Sequence, residues 1–131
     1  MSGVSLSLVS IVSDDIAALS DFYAKVFDLP ELVEFRSDIF RGLALDGVTL
    51  GFSTPVVYEL LKIEPWRDAK GAKQYLTFEA ESDAEVERLV AKALGRGAQL
   101  LHEPYATYYG AWQAVLADPD GNVFRINHFR A

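Results

Sequence analysis

Arg125 carries the most distinctive chemistry in the chain. It sits in Val123-Phe124-Arg125-Ile126-Asn127, where period-two alternation puts Val123, Arg125 and Asn127 on one face of a strand and Phe124 and Ile126 on the other. A guanidinium offers a planar fork of donors that suits a carboxylate, a phosphate or an enolate-like oxygen. A second strand, Tyr75 to Ala80, turns Tyr75, Thr77 and Glu79 to one face and Leu76 and Phe78 to the other. Glu79 shares the predicted face of Arg125, and buried charges are normally paired. The residues leave two readings open, an anchor for an acidic ligand and an internal ion pair.

Aromatic side chains gather in two segments, from Tyr58 to Trp66 and from Tyr105 to Trp112. Tyr58, Trp66, Tyr108, Tyr109 and Trp112 could form a stacking wall for a planar ligand. Loop packing or a contact with a second copy is the competing reading. The two histidines, His102 and His128, fall on unrelated strands and opposite parities, which makes a poor metal-ligand set. His102-Glu103 stands at an expected strand end before Pro104. Without cysteine, a disulfide framework, a zinc ribbon and a thiol nucleophile are excluded. No Gly-rich phosphate loop, nucleophile elbow or catalytic triad set is present.

The elements that position these residues occur twice. Leu8-Val9-Ser10-Ile11-Val12-Ser13-Asp14 reads as a strand entering a helix, and Tyr75-Leu76-Thr77-Phe78-Glu79-Ala80-Glu81 repeats it 75 − 8 = 67 positions later. In the first copy, Leu6 to Val12 is the strand and Ser13 or Asp14 the helix cap. Ile16, Leu19, Tyr23 and Val26 form the apolar stripe, with Phe22 beside it, and Leu29-Pro30 ends the helix. Val33 to Phe35, Ile39 to Leu45 and Thr49 to Ser53 are expected strands, with an Asp46-Gly47 hairpin. In the second copy Ser82 and Glu85 match a capping box. Val86, Leu89, Val90, Ala93 and Leu94 make the stripe, and Gly95 and Gly97 are candidate left-handed residues at the helix end. Strands at Ala98 to His102, Trp112 to Ala117 and Val123 to Phe129 follow, the last two joined by Asp118-Pro119-Asp120-Gly121. The single expected domain, 1–131, thus holds a first module at about 4–53, a connection at 54–73 with a helical turn near Tyr58, and a second module at about 74–131.

Two stacked copies of one unit create a junction between them, and small-molecule binding is expected there. With Leu8 taken as facing that junction, Ser10 faces it too, and Leu8, Ser10, Tyr75, Thr77 and Arg125 form an apolar floor with a few polar groups. A net charge of −7 argues against nucleic acid, which needs clustered Lys and Arg. No signal peptide is visible, and no apolar run approaches the roughly 20 residues of a membrane span. The expected setting is cytoplasmic, with no nucleic-acid or membrane partner.

The doubled unit, Phe22-Tyr23 late in the first helix and Asp118-Pro119-Asp120-Gly121-Asn122 before the last strand together resemble the vicinal oxygen chelate superfamily. That superfamily holds glyoxalase I, bleomycin-resistance proteins, fosfomycin-resistance enzymes and extradiol dioxygenases. The resemblance implies an α+β fold of two βαβββ modules whose curled mixed sheets surround a shared cavity, and it implies a homodimer. Members that do metal chemistry place one ligand on the first strand of each half and a carboxylate near the end of each half. Those positions fall here at Leu8, Tyr75, Arg125 and one of Thr49, Leu50 or Gly51. Leucine cannot bind a metal and arginine stays protonated. The expectation is therefore a metal-free protein without cofactor, resembling the bleomycin-resistance branch and binding a planar or acidic small molecule. The alternatives are a glyoxalase-like lyase, isomerase or dioxygenase with non-standard residues, drawing on Tyr75, Glu79 and Arg125, and a module whose groove serves only assembly.

Overall fold

The computed structural model describes residue 3, residues 5–68 and residues 70–130. Val4 and Ala131, the expected first residue of one module and last of the other, lie outside the described residues. The chain divides into two compact units, Met1–Lys70 and Gly71–Ala131.

The first unit runs β1 (Leu8–Val12), α1 (Ile16–Phe27), a 3-10 turn (Val33–Phe35), β2 (Phe40–Leu45), β3 (Val48–Ser53), α2 (Val56–Leu60) and a second 3-10 turn (Glu64–Trp66). Its sheet has the order β1-β3-β2, with β1 parallel and β2 antiparallel to β3. The cap of α1 is Asp15, not Ser13 or Asp14: the Asp15 carboxylate accepts from Ala18 N–H, and the Ser13 hydroxyl accepts from Asp15 N–H. The helix ends where Asp28 adopts the left-handed conformation, with φ 54°. Ile16, Leu19, Phe22, Tyr23 and Val26 are buried, as their spacing requires. Tyr23 lies over Phe52 with ring centroids 5.7 Å apart, which locks α1 onto the central strand.

The expected strand at Val33 to Phe35 is a 3-10 turn. Its alternation looks strand-like, but Val33 and Phe35 are exposed and have no buried face to fill. Pairing with β2 occurs just upstream instead, where Leu32 N–H donates to Gly42 O, Ala44 N–H donates to Pro30 O and Glu31 bridges Leu43. Pro30 has no N–H to extend that ladder. The helical turn expected near Tyr58 is α2.

The second unit runs β4 (Leu76–Glu79), α3 (Asp83–Leu94), β5 (Gln99–Ala106), β6 (Ala111–Ala117) and β7 (Val123–Phe129). The sheet order is β4-β7-β6-β5, with β4 parallel to β7 and the other pairs antiparallel. Ser82 caps α3 as expected, its hydroxyl accepting from Glu85 N–H. Val86, Leu89, Val90 and Ala93 are buried, while Leu94, at the end of the stripe, is exposed. Gly97 takes the left-handed φ of +100° and Gly95 stays helical. Strand β5 runs beyond the expected His102 through Pro104 to Ala106. As an edge strand it tolerates a residue that cannot donate to a ladder, and its pairing with β6 shifts register between His102 and Tyr105.

Arg130 closes this unit from the chain end, donating from Nε to Asp83 at 3.1 Å. That hydrogen bond, with the nearby charge, holds the Asp83 carboxyl below the usual carboxylate range. A depressed folded-state value means the pair stabilises the fold above the ordinary carboxylate range and loses that contribution as pH falls through the lowered value. An NMR titration should therefore show the Asp83 carboxyl protonating at lower pH than in Arg130→Gln; identical titrations would refute the pairing in solution.

Candidate functional site

The site is built on the face of the second sheet opposite α3. Register places Thr77 beside Arg125 and Glu79 beside Asn127 across β4 and β7, and Val115 beside Arg125 and Gln113 beside Asn127 across β6 and β7. Phe124, Ile126, Ala114 and Leu116 take the other parity and are buried. The polar face thus follows from alternation in three adjacent strands.

Arg125 is fixed by three neighbours. Its Nε donates to Thr77 Oγ1 at 2.9 Å, its NH1 donates to Tyr109 OH at 3.1 Å, and its guanidinium lies 4.8 Å from the centre of the Tyr75 ring. The alternative of an Arg125–Glu79 ion pair is not what the structure shows. Glu79 accepts from Asn127 Nδ2 at 2.8 Å and from Phe129 N–H at 2.8 Å. Both carboxylate oxygens are satisfied by neutral donors, and among the described residues Arg125 forms no salt bridge. Cation–π contact and neutral hydrogen bonds orient a guanidinium without cancelling its charge.

A hydrogen-bonded chain runs beside it. Asn127 Oδ1 accepts from Gln113 Nε2 at 2.9 Å, Gln113 Nε2 also donates to Tyr109 OH at 2.7 Å, and Gln113 Oε1 accepts from Tyr105 OH at 3.3 Å. Gln113 and Asn127 are almost fully buried. Gln113 is a central residue of this arrangement and is not among the expected site residues. Its signal was a polar residue at an interior position of the otherwise apolar Ala111-Trp112-Gln113-Ala114-Val115-Leu116-Ala117, where burial demands partners.

Of the expected site residues, Tyr75, Thr77, Tyr109 and Arg125 come together, with Glu79 one step away through Asn127. Tyr108 is wholly exposed, and its ring meets Tyr109 edge-on at 5.1 Å. Trp112 does not join them. It pairs with His128 across β6 and β7, so it faces away from Arg125, and the Arg130 guanidinium stands 4.9 Å from its ring centre. Leu8, Ser10, Tyr58 and Trp66 belong to the first unit. Ser10 and Ser53 share a hydroxyl–hydroxyl hydrogen bond of 2.8 Å, Arg67 stands 5.5 Å from the Tyr58 ring centre, and Trp66 is exposed. His128 Nδ1–H donates to Ala80 O, and His102 lies against Tyr105, so neither histidine has the other as neighbour.

The repeat and the strand register together locate the metal-ligand position that the sequence left between Thr49, Leu50 and Gly51. Ser10 matches Thr77 (77 − 10 = 67), and their partners are Gly51 and Arg125, so Gly51 is the repeat mate of Arg125. A Cβ on Gly51 would stand 2.8 Å from Leu8 Cδ1 and 2.8 Å from Phe40 Cε1. Hydrocarbon covers the place where a carboxylate would be needed. The set Leu8, Gly51, Tyr75 and Arg125 contains no typical ligand and one fixed cation, and so does not fit a metal ion. Among the described residues no group of three or more His, Asp or Glu forms another candidate set. Among the described residues no helix is long and apolar enough to cross a membrane.

Comparison with known proteins places this geometry. No curated protein gives a significant match. Among solved structures, the chain is similar to a glyoxalase/bleomycin resistance protein/dioxygenase family enzyme from Burkholderia phytofirmans PsJN, with 42% identity, a TM-score of 0.94, and 97% of this chain and 100% of that one covered. It is similar in fold to a lactoylglutathione lyase from Agrobacterium tumefaciens, at 18% identity and TM-score 0.72 over 95% of this chain and 92% of that one. It is similar in fold also to the fosfomycin resistance protein FosX from Mesorhizobium loti, at 12% identity and TM-score 0.72 over 99% and 95%. The family model for the glyoxalase/bleomycin resistance protein/dioxygenase superfamily matches residues 5–126, and the chain therefore belongs to this superfamily.

Proposed function

We propose that this protein binds a planar, acidic small molecule without a metal ion or cofactor, in the manner of the bleomycin-resistance branch, on the face where Arg125, Thr77, Tyr75 and Tyr109 converge. One observation carries the reading: Arg125 is held in place by a hydroxyl, a phenol and an aromatic ring, with no carboxylate among the described residues to neutralise it. An oriented cation with an aromatic neighbour is complementary to an aromatic acid. Nucleic acid and membrane are not its partners on this reading, and the working form is a cytoplasmic homodimer, since the exposed Leu100 and Leu101 on edge strand β5 are a surface that pairing would cover.

Calorimetric titration tests the reading with benzoate against benzamide, which keeps the ring and loses the charge. Benzoate should bind at least about tenfold tighter, because a hydrogen bond to a charged group contributes roughly 1.5–3 kcal/mol. Its affinity should not change when EDTA is added. Equal affinity for the two probes, or loss of benzoate binding on chelation, would overturn the proposal.

The description of the Burkholderia relative as a family enzyme favours a second reading, lyase, isomerase or dioxygenase chemistry with non-standard residues. Sustained turnover in such assays, abolished by Arg125→Ala, would establish it in place of simple binding.

A further inference from the structure

The hydrogen bonds beside Arg125 have a direction, and one end of them is fixed. Phe129 N–H is a backbone donor, so the oxygen it meets on Glu79 must accept. An ionised carboxylate can only accept at its other oxygen too, which forces Asn127 to present its NH2 to Glu79 and its carbonyl to Gln113. Gln113 must then answer with its own NH2. That same NH2 donates to Tyr109 OH, while the Gln113 carbonyl takes the proton of Tyr105. Arg125, which can only donate, supplies the second hydrogen bond to Tyr109 OH. A phenol that accepts two hydrogen bonds has both lone pairs engaged, and its proton is left for a third group. Tyr109 is partly exposed, at 39%, so that group can come from outside the chain.

We infer that Glu79, acting through Asn127 and Gln113, sets Tyr109 as a hydrogen-bond donor to an anionic oxygen of the ligand. Tyr109 is then a second binding residue beside Arg125, and Glu79 is a positioning residue that touches no ligand. The inference rests on the reading of Arg125 as an anion anchor and sharpens its ligand class. The oxygen is one that accepts from a phenol and a guanidinium together, as a carboxylate or an enolate does. A ligand offering only N–H groups at that point would meet donors on both sides.

The chain also predicts how it can be reversed. In Glu79→Gln the amide oxygen must face Phe129 N–H, so the new NH2 faces Asn127. Asn127 and Gln113 both turn over, Gln113 presents its carbonyl to Tyr109, and the phenol proton turns inward. Both buried members, Asn127 and Gln113, remain paired, so the fold should tolerate a change that removes the outward donor.

Titrating the full chain with benzoate tests this directly. Tyr109→Phe and Glu79→Gln should each weaken benzoate by about tenfold, the size of a lost charge-assisted hydrogen bond. The double variant should be no weaker than either single one, because both remove the same interaction. The thermal midpoint of Glu79→Gln should stay near the parent's, whereas Tyr109→Phe, which takes one acceptor from buried Gln113, should melt somewhat lower. Parent-like affinity in Tyr109→Phe would overturn the donor, and parent-like affinity in Glu79→Gln beside a weakened Tyr109→Phe would overturn the directional chain. Parent-like affinity in Arg125→Ala with a weakened Tyr109→Phe would instead overturn the anchor reading alone. A readout without ligand decides the direction independently. The Gln113 side-chain amide protons should show NOEs to the Tyr109 ring in the parent and to the Tyr105 ring in Glu79→Gln; the Tyr105 pattern in the parent would overturn the inference.

Discussion

Arg125→Ala is expected to weaken benzoate by at least about tenfold and to leave the fold nearly as stable as before. The two halves of this expectation have separate origins. The loss of affinity follows from removing the one cation among the described residues of the site face, where each charge-assisted bond contributes roughly 1.5–3 kcal/mol. Benzamide, lacking that charge, should lose much less. The small effect on folding follows from the partners. Had Arg125 been paired with Glu79 in a buried site, truncation would strand a carboxylate at a cost of about 3–5 kcal/mol. Glu79 is instead held by Asn127 and Phe129 N–H, and the two oxygens that Arg125 serves, on Thr77 and Tyr109, belong to side chains that reach water. Arg125 is itself only half-buried, and a change that strands no buried group usually stays within about 0.5 kcal/mol. Calorimetry and a denaturant melt on the same preparation check both halves, and a large drop in stability with unchanged affinity would falsify the anchor.

The largest expected effect on stability lies in the first unit. Phe52→Ala should destabilise the protein by about 3–5 kcal/mol, the range for emptying a large aromatic site that cannot collapse. Phe52 is fully buried on β3, the central strand of its sheet, opposite Ile11 and Arg41 in the two flanking strands, and beneath the Tyr23 ring of α1. Strands on both sides and a helix above leave the backbone no room to close the cavity. Chemical denaturation should show a lower midpoint, and a loss below about 1 kcal/mol would mean that Tyr23 and its neighbours repack to fill the space.

Local pattern carried much of this protein. The repeat interval of 67 residues, the stripe of α1, the Ser82 cap and the parity of β4 and β7 each depend on neighbours within a few positions, so they are written in the sequence itself. The same parity puts Tyr75, Thr77 and Arg125 on one face whatever their partners. Two kinds of information lay beyond local pattern. One was pairing across strands: it placed a turn where Val33 to Phe35 looked like a strand, carried β5 through Pro104, and identified Gly51 as the mate of Arg125. Ladder partners come from segments far apart in the chain, and alternation within one segment does not specify them. The other was the choice of partner for a charge. Arg125 and Glu79 share a face, and sequence could read that as a pair. Only the folded sheet shows that Asn127 and a backbone N–H reach Glu79 first, leaving the guanidinium to two hydroxyls and a ring, because hydrogen-bond partners are settled by distances of tenths of an ångström that strand parity does not encode.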